Sequence, residues 1–294
     1  MKIIVTGSLG HIGSPLTEQL VKRGHAVTLI SSNPDRQRDI ETRGAKAAIG
    51  SLLDSEFLEQ AFLGADAAFC MIPPDFTQPD QIVYYESTGK IYDHAIRKSG
   101  VKRIVHLSSY GAHLPSATGI ITGSYRVEQM LNKIPAINLT HVRPGFFYYN
   151  LESFIGMIKT AGFIGAVYGG NDRLPMVSPL DIADAVAEEL TLVGETRPIR
   201  YVVSDDRTCN EVATILGKAI GMPDLKWLTL PEDEVMKNLR DRGMRQETAE
   251  KLIELGMAIH NGKLRADFDE HPPAFGRVSL ESYAEEFAHV FHRN

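Results

Sequence analysis

The sequence predicts an α/β fold: a doubly wound parallel sheet joined to a smaller, mainly helical C-terminal domain. Three observations carry that expectation. Apolar strand-like runs alternate with runs of helical period from the first residues onward, the pattern of a parallel sheet covered on both faces. The opening strand breaks into three glycines and then turns helical, which completes a strand, turn, helix and strand unit by residue 31. Beyond about residue 206 the strand pattern thins and helix-period segments take over.

Taken in order, the strands are read at "KIIVTG", "AVTLIS", "AKAAIG", "AAFCMI", "RIVHLSS", "INLTHVRP" and "IRYVVS". The first helix, "HIGSPLTEQLVKRG", places Ile12, Leu16 and Leu20 on one face and stops at Gly24, a residue suited to the left-handed position after a helix. "DSEFLEQAFLG" starts at a capping Asp54, "ESTGKIYDHAIRKSG" stops at Gly100, and "SPLDIADAVAEEL" lines up Ile182, Val186 and Leu190. Asp181 and Asp184 are expected to cap and begin that last helix. The C-terminal helices are "NEVATILGKAIG", "PEDEVMKNLRDRG", "RQETAEKLIELGMAIHNG" and "SLESYAEEFAHVFHR". Residues 1–150 plus about 177–205 are therefore assigned to the sheet domain, and about 151–176 plus 206–294 to a smaller substrate-side domain.

The turn Gly7-Ser8-Leu9-Gly10-His11-Ile12-Gly13 has the spacing GxxGxxG. Residues without Cβ let backbone approach a diphosphate, whose charge then meets the amides and positive dipole end of the following helix. Gly7 makes the turn, Gly10 the close approach and Gly13 the packing of helix on strand. Pro15 falls in the first helical turn, where its missing N–H costs little. An N-terminal apolar strand before the glycines and an amphipathic helix after them make this a dinucleotide-binding, Rossmann-like unit. At the end of the second strand a carboxylate would bind the ribose diol of NAD. Here stand Ser31 and Ser32, followed by Asn33 and Arg36, a set better suited to a 2′-phosphate. NADP is the expected cofactor, with NAD as the alternative.

Composition narrows the partners. The 294 residues carry a net charge of −6 with Lys and Arg scattered, which gives no electrostatic footprint for nucleic acid or an anionic membrane. Cys70 and Cys209 have neither disulfide nor metal-ligand spacing, and the dispersed histidines form no metal motif. No apolar stretch approaches the ~20 residues that span a bilayer, and no basic leader precedes the first strand. A cytoplasmic protein with a small-molecule substrate is expected; nothing in the sequence sets its oligomeric state.

Four segments together, "VTGSLGHIGSPLTEQLVKRGH", "IVHLSSYGA", "THVRPGFFYYNL" and "PLDIADAVAEEL", resemble the atypical short-chain dehydrogenase/reductase superfamily, and within it the NmrA-like branch. That branch includes NAD(P)H-dependent quinone reductases, triphenylmethane reductase and non-catalytic redox sensors. The resemblance covers about the first 205 residues. It implies that Ser8, Leu9, Gly10, His11, Ile12 and Gly13 contact the diphosphate side and that Leu52 lies by the adenine. It further implies that Met71, Ile72, Pro73 and Pro74 run along the ribose and nicotinamide. Ser108 and Ser109, which with Tyr110 end the fifth strand, and Pro144, Gly145, Phe146 and Phe147, which follow the sixth, are likewise implied to bind the cofactor at the carboxyl edge of the sheet. "GSL" replaces the acidic "GDL" usual in the family.

In most of the superfamily a tyrosine, with a lysine four residues later, moves the proton that accompanies hydride transfer. The matching segment "GSYRVEQML" has Tyr125, but Gln at 129. Aligned instead on the Glu after the motif, Ile120 and Ser124 take the two places. The pair is incomplete either way, leaving Tyr125, Tyr110 and His113 as candidate proton donors. A simple ketone reduced by hydride needs a positioned acid, whereas a quinone gives a delocalised anion that water protonates. The expected activity is therefore NAD(P)H-dependent reduction of a quinone-like or conjugated small molecule by direct hydride transfer. The alternative is a non-catalytic NAD(P)-binding redox sensor. Phe146, Phe147, Tyr148 and Tyr149 are candidates to line a planar substrate or to pack in the core.

Overall fold

The computed structural model describes residues 1–194 and 197–293. In chain order it opens with Lys2–Val5 (β1), Gly13–Lys22 (α1), Ala26–Ser31 (β2), Gln37–Thr42 (α2), Lys46–Ile49 (β3) and Ser55–Phe62 (α3). Ala67–Cys70 (β4), Gln81–Ser99 (α4), Arg103–Leu107 (β5), Ile121–Leu131 (α5) and Asn138–Pro144 (β6) follow. Next come Phe146–Phe147 (β7), Ile155–Ala161 (α6), Ile164–Ala166 (β8), Arg173–Val177 (β9), Pro179–Thr191 (α7) and Ile199–Val202 (β10). The chain ends with Asp205–Thr208 (β11), Cys209–Ala219 (α8), Trp227–Thr229 (β12), Glu232–Asp241 (α9), Gln246–His260 (α10), Ala266–Glu270 (α11) and Leu280–Arg293 (α12).

Seven strands make one sheet in the order β10-β6-β5-β4-β1-β2-β3. β1 pairs in parallel with β2 on one side and β4 on the other, with Ile3 opposite Val27 and Ala67. The chain thus winds outward in both directions from β1, and helices cover the sheet. This is the doubly wound α/β architecture that the alternating pattern predicts, and its strand order reverses between β1 and β4.

The chain divides into two compact units: Met1–Ser109 with Gly123–Arg143 and Ile182–Arg200, and Tyr110–Thr122 with Pro144–Asp181 and Tyr201–Asn294. In the first unit β1 and β4 at the centre of the sheet are buried apolar runs after the exposed Lys2, and Leu16 and Leu20 of α1 are fully buried. Leu58 and Phe62 of α3 pack with Tyr92 and Ile96 of α4 in a core that includes Ile4, Ala68 and Ile104. Glu189 on α7 is completely buried and is held by Arg103 at 2.9 Å, Arg200 at 3.0 Å and Arg197 at 3.2 Å. In the second unit Trp227 is buried and its indole N–H donates to the Tyr168 carbonyl at 2.9 Å. Tyr148 stacks on Tyr283 with ring centroids 5.0 Å apart.

Several local expectations change. α4 begins at Gln81, five residues before the sequence pattern suggests, because Asp80 caps it by accepting from the amides of Ile82 and Val83. The polar stretch after Asn33 is a 3₁₀ turn running into α2, not an extended turn alone. Neither Asp181 nor Asp184 caps α7. Ser178 Oγ takes the Leu180 amide, Asp184 accepts from Gln19 at 2.6 Å, and Asp181 accepts from Ser204 Oγ at 2.5 Å and from the amides of Arg277 and Val278. The second unit also carries two small sheets, β11-β9-β7 and β12-β8. Their strands of two to five residues are too short to show alternation. β9 therefore belongs to a small sheet, and the main sheet resumes only at β10.

Candidate functional site

The glycine turn leaves β1 beside the point where strand order reverses, the crevice in which open α/β sheets bind ligands. Gly7 has φ +98 and Ser8 φ +55, so the chain reverses sharply through two left-handed residues. A Cβ on Gly7 would strike the Met71 side chain, one on Gly10 would lie 3.2 Å from the Gly7 carbonyl oxygen, and one on Gly13 would overlap the Ser8 carbonyl. Close backbone approach therefore requires glycine at Gly13, the left-handed φ favours it at Gly7, and Gly10 is a tight fit. Ile12 stands at the N-cap of α1 and no side chain caps that helix, unlike α3, α4 and α8. Of the first helical positions, Ser14 donates its amide to the Gly10 carbonyl at 3.1 Å and Pro15 has none, so it is the turn before Ser14, at the uncapped helix start, that matches what a diphosphate needs.

The turn is fastened from two sides. Ser8 donates its amide to the Ile30 carbonyl at 3.1 Å and its hydroxyl to Ser31 Oγ at 2.9 Å. Ser31 is buried and also accepts the Asn33 amide, so its hydroxyl shapes the turn, while Ser32, Asn33 and Arg36 are exposed beyond it. At the end of β4, the Met71 amide donates to Thr6 Oγ at 2.9 Å, and Tyr92 from α4 donates its hydroxyl to the Met71 carbonyl at 2.7 Å. Ile72 is buried, and Met71 and Pro73 are half-buried. Leu52 is half-buried against the core under this edge. His11 and Gly10 are exposed, Ser8 and Leu9 half-buried, and Ile12 buried.

At the end of β5 the structure assembles a group that the sequence does not announce. Glu128 of α5 is buried, accepts the Ser108 hydroxyl at 2.5 Å, and is gripped by Arg143 of β6 at 2.9 Å through Nε and 2.7 Å through Nη2. Arg143 is 4% exposed and forms a buried bidentate pair. Ser109 next to it is half-buried. The available signal was Glu128 itself, a carboxylate beside the apolar Val127 and Leu131 of α5, since a charge among buried residues implies a partner. Thr6 and Tyr92 were likewise missed; Tyr92 sits on the buried stripe Thr88, Tyr92 and Ala95 of α4.

The candidate proton donors separate. Tyr125 on α5 is half-buried, with exposed Gln129 one turn on. Tyr110 is 5% exposed in the core of the second unit, and burial pushes its phenol well above the ordinary range, which makes it a poor acid. His113 is half-buried in the same unit. There too, Gly145 runs against the Pro175 backbone, and Phe146 and Phe147 form β7, paired in parallel with β9. Pro144 is buried and its carbonyl accepts the Tyr110 amide at 3.0 Å. Of the four aromatics, Tyr148 belongs to the core, bonded to the Val278 carbonyl. Phe147 and Tyr149 remain a half-buried pair, with burial raising the Tyr149 phenol to about 12. Among the described residues, one set of potential metal ligands comes together, Asp267, Glu270 and His271, and Asp267 there already accepts the Tyr201 hydroxyl.

The profile of the NmrA-like family matches residues 1–270. The chain belongs to the NmrA-like family. Among curated relatives, this NmrA-like protein is 28% identical over 222 residues to a (4-alkanoyl-5-oxo-2,5-dihydrofuran-3-yl)methyl phosphate reductase of Streptomyces griseus, covering 75% of this chain and 74% of the relative. It is 25% identical over 277 residues to the NAD(P)H azoreductase of Xenophilus azovorans, covering 94% and 93%. Its fold matches the triphenylmethane reductase of Citrobacter with a TM-score of 0.81 at 20% identity, over 98% of this chain and all of that one. An NADPH-dependent quinone oxidoreductase from Escherichia coli superposes with a TM-score of 0.78 at 21% identity, over 98% and 99%.

Proposed function

We propose that this protein is an NADPH-dependent reductase that delivers hydride directly to a quinone-like or otherwise conjugated small molecule. The observation that carries the reading is the glycine turn at the strand-order reversal, with an uncapped helix start and an exposed Arg36 beyond β2. Family membership and the two curated reductases support it.

When bound, NADPH supplies the hydride. The chain's part is to hold and orient. Gly7, Ser8, Leu9, Gly10, His11, Ile12 and Gly13 would hold the diphosphate, and Ser32, Asn33 and Arg36 the 2′-phosphate. Leu52 would meet the adenine, and Met71, Ile72 and Pro73 the ribose and nicotinamide. The Ser108 proton is committed to Glu128 and Tyr110 is a buried, weakened acid, so neither offers the substrate a proton. An acceptor whose reduced form spreads its charge and takes a proton from water is the one such a site can serve.

The test is a titration with NADPH and NADH, followed by NADPH oxidation against quinones, azo dyes, enones and simple ketones. Turnover of quinones or dyes with simple ketones inert is the expected result. Tight binding without turnover on any acceptor would turn the reading to a sensor, and failure to bind either cofactor would end it.

A further inference from the structure

We propose that the cavity between α9 and α10 binds an amphipathic organic cation, a flat apolar body carrying a positive group. The cavity has a volume of about 540 Å³ and is lined entirely from the second unit. That volume lies in the range of pockets for drug-sized molecules, about 300–1,000 Å³.

Its floor is apolar. Ile253 and Ala258 of α10 are buried, and Met257 of α10 and Met236 of α9 are half-buried beside them. Methionine sulfur is polarizable and its unbranched chain adapts to flat conjugated bodies, so a two-methionine floor favours such a shape over a polyol. The rim is acidic, with Glu232 and Asp233 from α9 and Glu250 and Glu254 from α10. On both helices the carboxylates stand one turn from the floor: Glu232 precedes Met236 by four residues, and Glu250 and Glu254 precede Ile253 and Met257 by three residues each.

The first turn of α9 favours negative charge by its dipole, which accounts for Glu232 and Asp233 standing there. The same reason does not reach Glu250 and Glu254, which lie further along α10 and face the same cavity. Glu254 is paired with Lys251 at 2.6 Å and Glu250 accepts from Gln246 at 3.0 Å. Among the described residues no ion pair engages Glu232 or Asp233. Lys263 is the one cationic side chain on the lining and Lys251 already engages Glu254, which leaves three carboxylates against one cation. Such a rim attracts a positive group above an apolar floor and repels phosphates and sulfonates by like charge.

The proposal goes beyond the reductase reading, and a binding measurement without NADPH keeps the two apart. Acridine orange, a flat tricyclic cation, and fluorescein, a tricyclic anion, are titrated against the full chain at low ionic strength by fluorescence anisotropy. Acridine orange is expected to bind at least tenfold more tightly than fluorescein. The double substitution Glu232→Gln/Asp233→Asn should weaken it about tenfold, the scale of two nearby charges in water. Met257→Ala should weaken it severalfold at unchanged charge, with Met236→Gln as the second apolar variant if circular dichroism shows Met257→Ala misfolded. Equal binding of the two dyes, or affinity unchanged in the charge variant, overturns the proposal. So does a charge effect with no response to either methionine substitution, because that is loose ion pairing on a surface.

Discussion

His106 and His141 face each other across β5 and β6, each 2% exposed, with Nδ1 atoms 3.0 Å apart and rings edge to face. His141 Nε2 lies 3.1 Å from the Asn132 side-chain oxygen and donates to it, so its Nδ1 is the acceptor and His106 Nδ1–H the donor. This arrangement requires two neutral rings. Burial first, then the neighbouring His141 ring for His106 and the Arg143 guanidinium for His141, lowers both to about 3 from 6.5, with Glu128 opposing weakly at His106. In the unfolded chain both take up protons below pH 6.5, whereas the folded pair does so only near pH 3. The unfolded state therefore binds more protons between those values, and stability falls as pH falls through that window.

At pH 5.5 each ring contributes a loss of about 1.4 kcal/mol relative to pH 7.5, so the pair costs about 3 kcal/mol. That figure depends on the unfolded value, because the folded values lie well below the assay pH. Against a typical stability of about 5–15 kcal/mol the effect is large. Urea unfolding followed by far-ultraviolet circular dichroism at pH 7.5 and 5.5 measures it in the native chain and in His106→Gln/His141→Gln. The variant is less stable at both pH values but should lose about 3 kcal/mol less between them. Equal pH-dependent losses in the two proteins would refute the neutral-pair argument.

Arg36→Ala should weaken NADPH about tenfold or more while leaving NADH nearly unchanged, the worth of a charge-assisted contact to phosphate; equal losses by fluorescence titration would remove Arg36 from that role. Gly13→Ala places a Cβ against the Ser8 carbonyl and should abolish measurable NADPH binding by calorimetry in a chain that still folds. Retained affinity there would mean that the turn tolerates a wider path. Glu189→Gln strands Arg103 in the core and should cost about 3–5 kcal/mol, read as a fall in the urea midpoint.

What was legible in the sequence was local. The glycine turn, the Asp54 cap, which accepts the Phe57 amide at 3.0 Å, and the stops at Gly24 and Gly100 each depend on residues a few positions apart. The sheet strands were legible because fully buried parallel strands read as continuous apolar runs. The group Ser108, Glu128 and Arg143 was not, because three elements meet only once β5 and β6 pair in register. Tyr92 reaching the Met71 carbonyl has the same origin, a contact made 21 residues along the chain by packing α4 on the sheet edge. Asp181 looked like a cap by position; its carboxylate is instead taken by the Arg277 and Val278 amides from near the C-terminus.

The missing Tyr and Lys pair acquires a physical meaning from these long-range contacts. Proton donation needs a hydroxyl whose hydrogen is available and whose pKa is near the working pH. The Ser108 hydroxyl donates to an arginine-bound carboxylate. Tyr110 lies in an apolar core that penalises its anion, which raises the energy of giving up its proton. Tyr125 has Gln129 where the superfamily places a lysine, so no cation stands at that position to stabilise a phenolate. On the proposed reading, such a reductase would discriminate among acceptors by how well each carries the arriving negative charge, and a preference for conjugated over simple carbonyl substrates would follow from the acid that these residues withhold.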